Sequence, residues 1–422
     1  MIKPLVAIVV SALSLANPPP GGAASDVSTA VQSVSALGLD LLGQGTASNA
    51  NALLSPYSIQ SALAMTFAGA AGDTRAQMAR VLHYPADETE LHRSFAALQR
   101  ALAGVQKTTA ERATNAKRLG GPGEPITLTV ANRLFGQQGY DFRQPFLDLA
   151  RDQYSAPLQP LDFTRNAAAA TRTINAWVED QTRQRIRDLI PPDGLDRDTR
   201  LVLVNTIYLK APWMEEFRES ATKLQPFHIK GGAAQEVPTM SRQARMGYSK
   251  REGFSLVTIP YSGGQMQFVV LLPDAPAGLS ALEAKVTPDI LASCASAPAA
   301  ELQLYLPKFK LEPPLFRLGK VLRALGMKSA FNEPKGSANF DRMAPRKPDD
   351  YLYISEAFHK TFLALDEQGT EAAAATAVTM MRATSAVIAK PIEVRVDRPF
   401  LFAIQHQPSG ACLFLGRVTD PR

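Results

Sequence analysis

Residues 354–383 read ISEAFHKTFLALDEQGTEAAAATAVTMMRA, and the two halves of this stretch obey different rules. The first half is apolar with strand character, whereas Asp366–Val378 is almost all alanine and threonine behind one glycine. Four consecutive alanines favour helix, but no large apolar residue recurs at helical spacing to anchor one. The β-branched residues on either side favour strand. The segment is committed to neither. In an extended chain alternate residues face alternate sides. Thr370, Ala372, Ala374, Thr376, Val378 and Met380 form one such row, which carries no charge before Arg382. That row can enter a sheet interior without desolvating an ion or overpacking its surroundings. Gly369 supplies backbone freedom at the pivot.

The chain as a whole is long enough to bury a large core. It has 422 residues, 45% of them apolar and 20% charged, enough for one large core or for two to three average domains. The net charge of +6 comes without any block of five or six like charges, so nucleic acid is not implied as a partner. The N-terminus, MIKPLVAIVVSALSLANPPPGGAASDV, places Lys3 before a short apolar run, Leu5–Ala16, that ends in a small-x-small triplet. That pattern reads as a signal peptide over residues 1–16, with a second cleavage site after Ala24, followed by a Pro/Gly-rich linker at 17–28. The expected product is secreted or periplasmic, with no membrane contact after cleavage, since no other run is long enough to span a bilayer. The absence of N-x-S/T acceptors fits a bacterial source. Cys294 and Cys412 are the only cysteines, either one bridge or two buried free thiols. No CxxC pair or metal-ligand cluster occurs, so neither a metal nor another cofactor is expected.

Periodicity predicts helices at 26–43, from Pro56 (capped by Ser55), from Asp73 or Thr74, and at 89–107. KTTAERATNAKRLGGPGEP, residues 107–125, reads as a polar surface loop. A helix is expected over 171–190, with Ile174, Trp177, Val178, Ile186 and Leu189 on one side and Pro191-Pro192 as its stop. From residue 199 onward the character is mostly β, interrupted by one helix at 315–327. The fold class is therefore α+β with mixed or antiparallel sheets.

The residues that enzymes need are missing. There is no G-x-S-x-G elbow, no H-E-x-x-H pair and no Walker-type loop. The five histidines, His83, His92, His228, His359 and His406, lie in no catalytic context. The chain is not expected to be an enzyme.

Six separated blocks, taken together, resemble the serpins. They are NALLSPYSIQSALAMTFAGAAGDTRAQM from Asn51, ANRLF from Ala131, INAWVEDQTRQRIRDLI from Ile174, LVNTIYLKAPW from Leu203, ISEAFHKTFLALDEQGTEAAAATA from Ile354 and RPFLFAIQHQPSGACLFLGRV from Arg398. Their order and spacing match the family. The resemblance implies a single monomeric domain over 29–422 with three β-sheets, a large central one among them, and eight to nine helices. It also implies an exposed reactive-centre loop at about 367–391. A target protease, usually of the serine class with cysteine proteases a second class, cleaves that loop and is trapped as a covalent acyl-enzyme. The loop then inserts into the central sheet. A non-inhibitory member acting as carrier or chaperone is the alternative; such members carry bulky or charged hinge residues, and the row from Thr370 that would enter the sheet has none before Arg382.

Residue by residue, the resemblance implies a hinge at Glu367, Gly369, Thr370, Glu371, Ala372, Ala373, Ala374 and Ala375. It implies a sheet-opening switch at Ser55, Ser58, Asn205 and His359, with Trp213 near the point where insertion begins. The usual register, seventeen residues counted from Glu367, places the scissile bond between Ala383 and Thr384. Arg382 and Met381 stand one and two residues earlier, and counting back from Ile392 instead lands near Ile388. Arg382 would suit a trypsin-like target; Ala383 or Met381 would suit elastase-like or chymotrypsin-like ones. Lys107, Arg112, Lys117 and Arg118 follow the position where some members bind polyanions, but their interleaving with polar residues reads as a solvated surface.

Overall fold

Apolar residues recurring three and four apart build the first half of the protein. The computed structural model describes residues 26–46, 50–118, 124–229, 234–371 and 390–422. The expected signal peptide, most of the expected linker and the loop window 372–389, with Ala372–Ala375 and Met381, Arg382, Ala383 and Thr384, lie outside the described residues. Helix α1 (Ser28–Gly45), which matches the helix expected at 26–43, buries a stripe of Val31, Val34, Leu37 and Leu41. After β1 (Ala52–Leu54), α2 (Pro56–Ala68) starts as its sequence dictates. Pro56 takes the first helical position and Ser55 accepts the Ser58 amide. The chain continues through α3 (Gly72–Val81), α4 (Glu88–Arg118), β2 (Thr127–Gln137), α5 (Gln144–Tyr154), β3 (Leu158–Leu161), α6 (Phe163–Gln181) and β4 (Leu201–Pro212).

The second half is mainly β. It comprises β5 (Lys223–Phe227), β6 (Gln235–Arg251), β7 (Phe254–Pro260), β8 (Met266–Pro273), α7 (Leu279–Lys285), α8 (Pro288–Ser293), β9 (Ala299–Pro307), β10 (Phe309–Leu311) and β11 (Phe316–Arg317). Then come α9 (Gly319–Ala324), β12 (Phe358–His359), β13 (Leu363–Leu365), β14 (Gly369–Thr370), β15 (Ile392–Arg395), β16 (Phe400–His406) and β17 (Ala411–Val418). Among the described residues this gives nine α-helices and three sheets, the expected α+β class. The nine-stranded sheet runs β1-β17-β16-β8-β7-β6-β9-β15, with β5 on β6; the six-stranded sheet runs β10-β13-β14-β4-β2-β3; β11 and β12 form a two-stranded ribbon.

Helix α2 is wedged between β4 and β17, one strand from each large sheet. Twelve of its thirteen residues are buried, which is why it is apolar or small nearly all round rather than amphipathic. The opposite face of the six-stranded sheet carries a second apolar cluster of Phe135, Phe163, Ile174, Val178, Ile186 and Val204. Alternation along β4 sorts its residues between the two faces: Val204 joins this second cluster, while Ile207 and Leu209 join the main core.

Three sequence expectations need correction. The surface loop expected at 107–125 is helical as far as Arg118, because Val105, Thr109 and Ala113, four apart, keep one buried face. Lys107, Arg112, Lys117 and Arg118 therefore lie within a helix. The helix expected to reach Leu189 ends at Gln181, not at the prolines. Thr182 Oγ1 donates to the Val178 carbonyl (2.8 Å) and accepts the Ile186 amide (3.1 Å), while Asn175 bonds both backbone groups of Ile190 (2.8 and 2.9 Å). Side chains thereby replace helical ladder bonds, and Ile186 and Leu189 stay buried in a non-helical strap. The helix expected at 315–327 shrinks to α9, because Phe316 and Arg317 pair with His359 and Phe358 instead. Of the two readings of the cysteines, the structure has free thiols. Both are buried, and burial pushes the Cys294 thiol up to about 12.

Candidate functional site

The hinge is already seated in the six-stranded sheet. Asp366 Oδ1 accepts the amides of Gln368 (2.9 Å) and Gly369 (3.2 Å), turning the chain back on itself after β13. Thr370 pairs with Leu365 of β13 on one side and Ala211 of β4 on the other. Gly369 faces Pro212 at φ +150°, and a Cβ there would overlap the Ala211 carbonyl and come within 2.7 Å of Pro212 Cα. Only glycine fits so close an approach. Trp213 anchors the turn twice, through its amide to the Gln368 carbonyl and its Nε1–H to the Asp366 carbonyl, both at 2.9 Å. Its ring stacks on Tyr261 at 4.6 Å, and the Tyr261 hydroxyl pairs with that of Thr370. Thr370 is 1% exposed.

Glu367, also buried, ends on two partners: Thr222 Oγ1 donates to one carboxylate oxygen and Lys308 Nζ to the other, each at 2.7 Å. Burial raises its pKa, but the bonds from Lys308 and Thr222 outweigh that, and the net shift is downward. Glu371 turns out of the strand at φ +51°; its amide donates to the Ala364 carbonyl (2.8 Å) and its carboxylate pairs with Arg185. Here burial prevails over Arg185, Arg183 and Lys210, and the pKa is raised.

Beneath β14 the sheet is open. Among the described residues no ladder joins β4 to residues 354–362, although the two run side by side below the hinge. Between them lies a cavity of about 240 Å³, lined by Ser58, Val204, Ile207, His359, Phe362 and Glu371 among others, with residues 182–190 along one wall. The run FHKTFLALD has strand chemistry but forms only β12 and β13, and among the described residues no ladder pairs residues 358–362 on the β4 side.

Ser55, Ser58, Asn205 and His359, the residues expected to form the switch, converge at this opening. The Ser55 amide donates to His359 Nε2 (3.0 Å), and Ser55 Oγ donates to the Leu413 carbonyl (2.8 Å). Ser58 Oγ donates to the Asn205 carbonyl (3.3 Å), and Asn205 Nδ2 donates to Asn132 Oδ1. Asn205 Oδ1 is buried and has no partner among the described residues, a cost of about 1–3 kcal/mol in the closed arrangement. Burial pulls the His359 pKa down to about 4.

His359 Nε2 accepts a backbone proton, so the native ring is neutral. A folded pKa below the unfolded value makes this stability complete above the unfolded value of about 6.5. It is lost as pH falls towards 4. Between pH 7 and 4.5 the ring is expected to cost about 2 kcal/mol. His359→Gln should remove that part of the pH dependence in urea unfolding measured at both values.

The structure thus brings together Ser55, Ser58, Asn205 and His359, and separately Glu367, Gly369, Thr370 and Trp213. Sequence reading missed Tyr261, Thr222, Lys308, Asn132 and Arg185, all from distant segments with no local signature. The basic residues of α4 lie apart from this site, although Arg112 Nη1 reaches the Gly263 carbonyl beside Tyr261.

Comparison with known proteins agrees with this geometry. The profile of the family described as Serpin (serine protease inhibitor) matches residues 32–421. The chain is 38% identical over 380 residues to a leukocyte elastase inhibitor of Bos taurus, covering 88% of this chain and 93% of that protein. Among solved structures, a cleaved serpin 42Da superposes with TM-score 0.78 at 29% identity, covering 94% of this chain and all of that one. A thermophilic serpin, tengpin, in its native state superposes with TM-score 0.77 at 26% identity, covering 92% and 94%. The chain belongs to the serpin family.

Proposed function

We propose that the protein is a suicide-type inhibitor that traps serine proteases, and by the same acyl chemistry cysteine proteases, through insertion of its cleaved loop. The protease nucleophile attacks the scissile carbonyl, the amine of the following residue leaves, and an ester or thioester tethers the enzyme to the loop. Insertion of the loop then carries the tethered enzyme away from the hinge and distorts its active site before water can release it.

The observation that carries this reading is the half-filled slot: a two-residue strand at its mouth and a cavity below. Gly369 faces Pro212 and Thr370 faces Ala211. Stepping on residue by residue would set Ala372 against Leu209, Thr376 against Asn205 and Met380 against Leu201. The Thr370 row would face α2, and Thr376 would bring a hydroxyl beside the unpartnered Asn205 Oδ1. Every residue of that row is small or apolar through Met380.

An elastase-like target fits Ala383 at the usual register and the inhibitor of leukocyte elastase among the relatives; Arg382 would instead direct a trypsin-like enzyme. The N-terminal apolar run supports action outside the cytoplasm. Incubation with pancreatic elastase and, separately, trypsin tests the proposal. A complex that survives boiling in detergent is the expected result, with a released C-terminal peptide whose mass locates the cut within Met381–Thr384. Clean cleavage with no complex would replace this reading with a carrier or chaperone role.

A further inference from the structure

Residues 182–190 form a strap across the slot, and its contacts reach both sides. Arg183 lies over the Tyr208 ring of β4 at 5.4 Å. On the other side, Lys360 Nζ donates to the Arg187 carbonyl (2.7 Å), and Arg185 lies over the Phe362 ring at 5.1 Å. The same Arg185 guanidinium donates Nε–H to the carboxylate of Glu371, whose side chain is only 9% exposed against 50% for Arg185.

Backbone conformation marks this contact as unusual. Among the described residues seven non-glycine residues have clearly positive φ, and four of them are Arg183, Gln184, Asp188 and Glu371. Three belong to the strap and the fourth to the hinge residue it holds. Left-handed backbone at such residues is strained and persists only where surrounding contacts enforce it. Glu371 cannot keep φ +51° and also continue β14 as strand. The ion pair with Arg185 holds it in the turned-out form.

We propose that Arg185 is a positioning residue that, through Glu371, clamps the hinge at the mouth of the slot and ties it to the strap. The clamp fixes where insertion stops in the uncleaved protein. It must break, or travel with the strap, before residue 372 can follow Thr370. The inference rests on the loop-insertion reading for its purpose, but the contact itself can be tested without any protease.

Hydrogen exchange of the uncleaved protein, followed on a peptic fragment containing Thr370 and Glu371, reads the clamp directly. Arg185→Met is expected to speed exchange of that fragment about three- to tenfold, the range for a charged hydrogen bond with one partly exposed member. Glu371→Gln should do the same, and the double variant should be no faster than either single one. Arg185→Lys should retain most of the protection, because charge and reach survive. Fragments from β17 serve as the internal control and should not change. Unaltered exchange in Arg185→Met, or effects of the two substitutions that simply add, would overturn the clamp. Since no protease is present, such a failure leaves the inhibitory reading intact, and failure to trap a protease leaves the clamp intact.

Discussion

Cleavage within residues 372–389 is expected to raise the thermal midpoint of the protein by at least ten degrees. The estimate starts from the slot. Insertion as far as Met380, opposite Leu201, would complete ladders along both β4 and residues 354–362. About a dozen new hydrogen bonds at about 1 kcal/mol net each give a gain on the order of 10 kcal/mol. For a chain of this length the unfolding entropy is about 0.8 kcal/mol per kelvin, so the gain corresponds to about 12 °C. Calorimetry of intact and elastase-nicked protein at one scan rate measures the shift. A midpoint that stays put would mean that the cut loop remains outside the sheet, and trapping would then lack its driving force.

Thr370→Arg is expected to turn an inhibitor into a substrate. Thr370 is the first residue of the inserting row, is 1% exposed and shares its hydroxyl contact with Tyr261. An arginine there has no acidic partner; the nearby carboxylates of Glu367 and Glu371 already hold Lys308 and Arg185. Burying the unpaired charge costs several kcal/mol, more than the two-residue ladder and the Tyr261 contact given up when residue 370 leaves the sheet. The intact protein should therefore fold with the hinge expelled and still be cut at the same bond. Each 1.4 kcal/mol added to the insertion barrier shifts the partition between trapping and release about tenfold. The moles of protein consumed per mole of protease inactivated should rise from about one to well over ten. Thr370→Val, similar in shape and uncharged, should remain near the wild-type value. If the arginine variant traps protease as efficiently as wild type, insertion does not pass through residue 370.

Much of this was legible in the chain itself because it is local. The Ser55-Pro56 start of α2, the α1 stripe and the run of β-strands after residue 199 follow from periodicity and capping. The uncharged row beginning at Thr370 needs only the two-residue period of a strand. The errors occurred where long-range contacts overrode local propensity. The extension of α4 to Arg118 depends on a narrow buried stripe of small residues, and the end of α6 at Gln181 depends on Thr182 and Asn175 capturing backbone groups of the strap.

The sequence by itself determined that residues 370–380 can be strand or loop without burying a charge, because side-chain size and charge travel with the chain. Tertiary structure alone decided that β14 ends at Thr370, that among the described residues β4 has no strand partner below it on that side, and that Arg185 meets Glu371. Those outcomes depend on groups 150 or more residues apart in the chain, such as Trp213 with Asp366 and Arg185 with Glu371. Their positions are set by the packing of α2 and the strap on opposite faces of one sheet, and no local pattern encodes such a meeting.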